Sequence, residues 1–293
     1  MKVKKVNGLD IKPPKKNAFM IETPENLPKA HTLLIASGKR GGGKSVAVSN
    51  FVRMLLEKEV FDRVVLISPT YFSNKEIYEP LNIAEEDIIE PSKDAVKDVV
   101  SKVEQDKAEY DEFLEKKKKY KEYQKLISSD TPIYDIPPMK LIEFMEFGFL
   151  EGEKPVWKYK HERPPRIFLI IDDCMGTDLF NRKSGLTNLC IKHRHIAEGT
   201  GISIAMLTQS YCANEGLPRP IRENTCLLML FKNTQEQQLK KIFEEAGDKL
   251  TEEQFYGMFN YATSKPFGFL MIDFHPKKDE MKYRSNFNEF LTP

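Results

Sequence analysis

The sequence predicts an α/β protein with a mainly parallel central sheet flanked by helices and interrupted by one helical insertion. Three observations point there. Short continuous apolar runs recur along the chain, as strands buried on both faces of a parallel sheet require. Stretches of helical periodicity fall between those runs, and a glycine-rich segment joins the first run to the first helix.

Residues 1–30 are rich in Lys and Pro and read as an irregular basic arm, with a short strand around Phe19–Ile21. Thr32–Ala36 is the first buried strand. After the glycines, Val46, Val48, Phe51, Val52, Leu55 and Leu56 follow helical spacing up to Lys58, and Arg63–Pro69 supplies a second strand. From 94 to 127 the apolar positions Val96, Val99, Val100, Val103, Tyr110, Phe113, Leu114, Tyr120, Tyr123 and Ile127 form one stripe in a background of Lys and Glu. This reads as one long or two short amphipathic helices. A continuous helix there would be roughly 50 Å long, too long for an ordinary crossover. Residues 94 to about 160 are therefore assigned to an insertion, closed by the Pro-rich "DTPIYDIPPM". The core resumes with the strand Arg166–Ile171, which ends in Asp172 and Asp173. A helix from about Leu179 to Ala197, strands Ile202–Thr208 and Thr225–Phe231, helices Thr234–Ala246 and Thr251–Tyr261, and a last strand Phe267–Phe274 complete the expected order.

With 293 residues the chain supports one principal domain, 31–293, behind the arm at 1–30. Apolar residues make up 40% and charged residues 30%, which excludes a disordered or fibrous chain. A net charge of +1 advertises no global affinity for nucleic acid, so any such contact must be local. Two patches qualify: the arm, with Lys2, Lys4, Lys5, Lys12, Lys15 and Lys16 against Asp10 alone, and the run Lys116–Lys119. Charge runs are more often solvated surface than binding sites, so each patch is a weak signal. Cys174, Cys190, Cys212 and Cys226 show no paired spacing, which fits a reducing, intracellular compartment. No run approaches the roughly 20 apolar residues of a membrane span.

The chemistry concentrates in "SGKRGGGKS", residues 37–45. A loop that holds a triphosphate must aim backbone N–H groups at oxygens without side chains intervening. Gly38, Gly41, Gly42 and Gly43 permit that approach, and the following helix presents its positive end. Lys44 would bridge the β- and γ-phosphates and Ser45 would hold Mg²⁺. Lys39 and Arg40, inside the loop, are surplus to that task and are expected to face a neighbouring subunit or the γ-phosphate. Asp172 and Asp173 end a buried strand, where ligands of open α/β sheets lie. Asp172 would hold Mg²⁺ and Asp173 would orient and deprotonate an attacking water; capping of the next helix is the plainer reading of the pair.

Gln209, ending the strand 202–208, reaches the γ-phosphate or the water if that strand lies between the loop strand and the Asp strand. A polar strand end without chemistry fits the local sequence equally. Arg222 in "LPRPIREN" and Arg194 in "KHRH" are candidates for meeting transition-state charge, although a structural ion pair or a DNA phosphate contact would use the same residues. His193 and His195, two apart on a helix, face different directions and do not form a zinc pair.

Taken in order, "ASGKRGGGKS", "IFLIIDDC", "IKHRHIAEGTGISIAMLTQS" and "LPRPIREN" resemble the DNA-packaging ATPases of large double-stranded DNA viruses, a poxvirus-type branch of the FtsK/HerA motors. The resemblance covers roughly residues 30–275 apart from the insertion. It implies a P-loop NTPase fold of the additional-strand catalytic type, with a catalytic strand between the two Walker strands. Implied with it are ATP and Mg²⁺ as cofactors and a homo-oligomeric ring, pentamer or hexamer, around double-stranded DNA. Capsid or portal-vertex partners follow, as does a location in the host cytoplasm or the virion. By position it assigns Gly38–Ser45 to Walker A, Asp172 and Asp173 to Walker B, Gln209 to the sensor, and Arg222 or Arg194 to a finger acting in trans. Asp173 stands where many cellular relatives have Glu. Two rivals share the loop: a P-loop kinase for a small substrate, and an ATP-binding assembly switch without motor activity. A kinase usually carries an Arg-rich lid, whereas 94–160 is Lys-rich and its nearest arginine, Arg163, lies just beyond it.

Overall fold

The computed structural model describes residues 21–128, 132, 136–212, 216–232, 235–247 and 250–293. The expected arm lies outside these residues, apart from 21–30, where Ile21 forms an isolated bridge to Ala30.

Strands β1 (Leu33–Ser37), β2 (Arg63–Ile67), β3 (Ile88–Ile89), β4 (Ile167–Ile171), β5 (Ile202–Thr208), β6 (Leu227–Phe231), β7 (Phe269–Asp273), β8 (Tyr283–Ser285) and β9 (Glu289–Leu291) join one sheet. Their order is β3-β2-β4-β5-β1-β6-β7-β8-β9. The first six run parallel and the last three join antiparallel. This is a mixed, mainly parallel sheet flanked by helices, with the strand order of a P-loop NTPase: β5 is the additional strand between β1 and β4.

The apolar runs are continuous because both faces are covered. Leu34, Ala36, Val64, Leu66, Phe168, Ile170, Ala205 and Leu207 pack on one side with helix α1 (Lys44–Glu57), through Val48, Phe51, Val52 and Leu55. Their alternates Leu33, Ile35, Val65, Ile67, Leu169 and Ile171 face the other side. That side is covered by the start of α3 (Ala95–Ser128) and by α7 (Glu236–Ala246) and α8 (Glu252–Ala262). The short helices α2 (Lys75–Tyr78), α4 (Pro138–Glu146), α5 (Leu186–Lys192) and α6 (Arg219–Glu223) fill connections. Thr251 caps α8 in a reciprocal capping box with Gln254.

Two expectations are corrected, and one alternative is decided. The helix drawn from Leu179 to Ala197 is two 3₁₀ turns, Asp178–Phe180 and Arg182–Ser184, followed by the short α5. Gly185, at φ 81°, interrupts it. The chain does not end in one strand, because β8 and β9 extend the antiparallel edge. In the insertion, α3 is one continuous helix of 34 residues. Only its first turns, Ala95, Val96, Val99 and Val103, enter the main core. Its outer part carries a separate aromatic cluster, where Tyr120 and Tyr123 meet Phe144 and Phe149 at centroid distances of 5.2–5.7 Å. Lys116, Lys117 and Lys119 pair with Glu153, Glu162 and Glu143. The lysine run is thus largely matched within the insertion and is not a free basic patch.

Candidate functional site

Between the end of β1 at Ser37 and the start of α1 at Lys44 the chain must reverse within six residues. Gly41 and Gly43 take left-handed φ of 76° and 91°, which a side chain would resist. The Gly38 N–H donates to the carbonyl of Thr208 at 3.1 Å, tying the loop to β5. No side chain caps α1 and no acid occupies its first turn, so its N-terminal N–H groups keep their capacity for an anion. Lys44 lies back over the loop, its Nζ donating to the carbonyls of Gly38 at 2.7 Å and Lys39 at 3.0 Å. Burial lowers its pKa, partly offset by Asp172 and Asp173. Lys39 and Arg40 are exposed at the loop's outer turn.

Asp172 is buried, and its Oδ2 accepts a hydrogen bond from the Ser45 hydroxyl at 2.8 Å. The same oxygen accepts from the hydroxyl of Tyr78. Burial pushes the Asp172 carboxyl up, while the Tyr78 and Ser45 hydrogen bonds and the Lys44 charge oppose this. Tyr78 is itself pushed up by burial and by the Asp172 charge, so it remains a donor. A hydroxyl beside a carboxylate is an all-oxygen donor set, the kind Mg²⁺ prefers. Ser45 and Asp172 therefore fit that ion.

Asp173 points the other way. Its φ of 55° turns the chain out of the strand, a conformation Asp tolerates better than most residues, and its side chain is exposed. Buried Cys174 anchors the turn, its Sγ donating to the carbonyl of Ile67 at 3.4 Å. Because β5 pairs with both β1 and β4, Gln209 emerges beside Asp173, its Nε2 donating to Oδ1 at 3.4 Å. Lys44, Ser45, Asp172, Asp173 and Gln209 thus share one end of the sheet.

Neither arginine joins them. Arg194 donates to the Cys226 Sγ at 2.9 Å, and Cys226 is bonded to Leu33 at the start of β1, the opposite end from the loop. Arg222 pairs with Glu245 at 3.2 Å and lies over the Tyr211 ring at 5.5 Å. His193 Nδ1 meets the Ile202 carbonyl at 2.8 Å, and burial lowers its pKa to about 4. Among the described residues no group of three His, Cys, Asp or Glu side chains is arranged to hold a metal, and all four cysteines are free. No described helix is long and apolar enough to cross a membrane.

The sequence reading missed Tyr78. Its signal is faint: a tyrosine in a four-residue helix past β2, whose position depends on the Ser49 hydroxyl donating to the Ile77 carbonyl at 2.7 Å.

No protein-family model matches the sequence, and no curated protein matches it. Among solved structures, the chain is similar to the genome packaging NTPase B204 of Sulfolobus turreted icosahedral virus 2 bound to ATP-γ-S. The identity is 11% and the TM-score 0.42, over 86% of this chain and 95% of that one. It is also similar to the cytoplasmic domain of the type VII secretion ATPase EccC of Thermomonospora curvata, at 12% identity and TM-score 0.38, over 86% of this chain and 27% of that one.

Proposed function

We propose that the chain is a Mg²⁺-dependent ATPase that drives double-stranded DNA through a ring of its own copies, packaging a viral genome into a capsid. The observation that carries the ATPase reading is the convergence at one strand-end edge. A glycine loop with Lys44 lies beside Ser45 bonded to Asp172, and Gln209 touches Asp173. The loop N–H groups and Lys44 bind the β- and γ-phosphates; Asp173 accepts the proton of an attacking water, which Gln209 orients from the next strand. A Mg²⁺ ion held by Ser45 and Asp172 would neutralise charge on the β- and γ-oxygens.

The motor half of the reading is supported by the order of the motifs. Both candidate arginines are engaged away from their own loop. Either arginine, if it serves as a finger, would have to reach a neighbour's nucleotide, as a ring would allow. Capsid or portal-vertex proteins and an assembly site in the cytoplasm or virion follow from the packaging reading; the division into a Lys- and Pro-rich arm at 1–30 and a domain at 31–293 is proposed from composition.

The test is ATP turnover with and without duplex DNA, alongside particle mass with an ATP analogue. Stimulation by DNA and a ring-sized mass support the motor. Phosphate transfer to a small acceptor would make it a kinase, and nucleotide binding without turnover would make it an assembly switch.

A further inference from the structure

Phe267 stands out beside the loop for its backbone and its exposure together. The turn Lys265–Gly268 is closed by the Gly268 N–H on the Lys265 carbonyl at 3.1 Å, with Pro266 at its second position. Its third position has φ 61°, where such turns take Gly or Asn; here it carries a phenylalanine. Glycine is needed one residue later, since a Cβ at 268 would come within 2.4 Å of the Ala262 carbonyl. A bulky residue in left-handed conformation is an outlier, and such outliers concentrate where a ligand is held. The residue is nevertheless 70% exposed.

The location gives this exposure a use. A Cβ built on Gly43, the last glycine of the loop, would lie 3.1 Å from Phe267 Cβ and 3.2 Å from its Cδ1. Val46, three residues on along the same helix face, is half exposed and adds to an apolar rim at the N-terminus of α1. Phosphates held by the loop leave the remainder of their molecule to extend over its rim, and a nucleobase gains from stacking on an aromatic face.

We propose that Phe267 is the stacking platform for the nucleobase, so that the site takes a nucleoside triphosphate in preference to an inorganic polyphosphate. This rests on the phosphate-loop reading above. Calorimetric titration of the full chain with ATP and with tripolyphosphate, each with Mg²⁺, tests it. The parent binds ATP more tightly. Phe267→Gly, which suits the turn and should melt no lower than the parent, weakens ATP by about tenfold and leaves tripolyphosphate unchanged; Phe267→Trp retains the preference. An unchanged ratio of the two affinities in Phe267→Gly overturns the platform while leaving the loop intact. Failure of the parent to bind either ligand would instead overturn the phosphate-loop reading.

Discussion

The two ends of the parallel strands treat polar side chains in opposite ways. At the end where the strands finish, Lys44, Asp173 and Gln209 are partly or fully open, and their mutual contacts leave donors and acceptors to spare. At the end where they begin, His31, His193 and Cys226 are buried, and Arg194 is tied to the Cys226 thiol. Burial lowers His31 to about 3 and His193 to about 4, so both are neutral in the folded chain near neutral pH. One end leaves its polar groups open to solvent and the other closes the core. A polar residue near a strand thus indicates chemistry only once its end is known, which is why Arg194 and Gln209, both candidates in sequence, separate in the structure.

Substitutions sharpen that contrast. Lys44→Ala has the largest expected effect, a loss of turnover of about 10³-fold or more, because the cation that lies back over the loop disappears. Unchanged turnover would break the assignment of the strand-finishing end. Asp173→Asn keeps nucleotide affinity but lowers hydrolysis by about 10²–10⁴-fold, separable by measuring binding and single-turnover rates. If affinity falls instead, Asp173 is a ligand and not a base.

Tyr78→Phe removes a donor to Asp172 but keeps the ring in the core. Turnover should then need about tenfold more Mg²⁺, since outer partners commonly contribute 10–100-fold to metal sites. A Mg²⁺ titration with no displacement would make Tyr78 merely a packing residue.

At the other end the expected effect falls on stability and leaves turnover untouched. The depressed pKa of His193 means that the unfolded chain takes up a proton below about pH 6.5 that the folded chain refuses until about pH 4. Its contribution to stability is complete above pH 6.5 and is lost as pH falls through that window, about 2 kcal/mol between pH 7 and 5. Denaturant titrations at the two pH values should show a smaller difference in His193→Gln. An equal difference would assign the pH dependence elsewhere.

Much of the fold was legible because each run such as Leu33–Ser37 or Ile167–Ile171 is apolar on both faces, and the glycine loop joins strand to helix. The loop lysine and serine and both aspartates could be read from position in their segments. The helix expected at 179–197 failed because apolar spacing persists through 3₁₀ turns that Gly185 then interrupts. Strands β8 and β9 are three residues each, too short for any period to register. Tyr78 and Phe267 were invisible since their meaning lies in what they touch, Asp172 and Gly43, far away in the chain.

By itself the sequence determined the alternation of strand and helix, the glycine loop between the first strand and helix, and the carboxylate pair at a strand end, because each is a local pattern set by burial period and backbone freedom. The residues by themselves left open where β5 lies, and only the family resemblance implied it; the tertiary structure sets β5 between β1 and β4 and so brings Gln209 to Asp173. It alone decided that Arg194 and Arg222 are held away from the loop and that Tyr78 bonds to Asp172. Strand order is a choice among long-range pairings that local propensity does not encode, and the partners of a polar side chain follow from that choice.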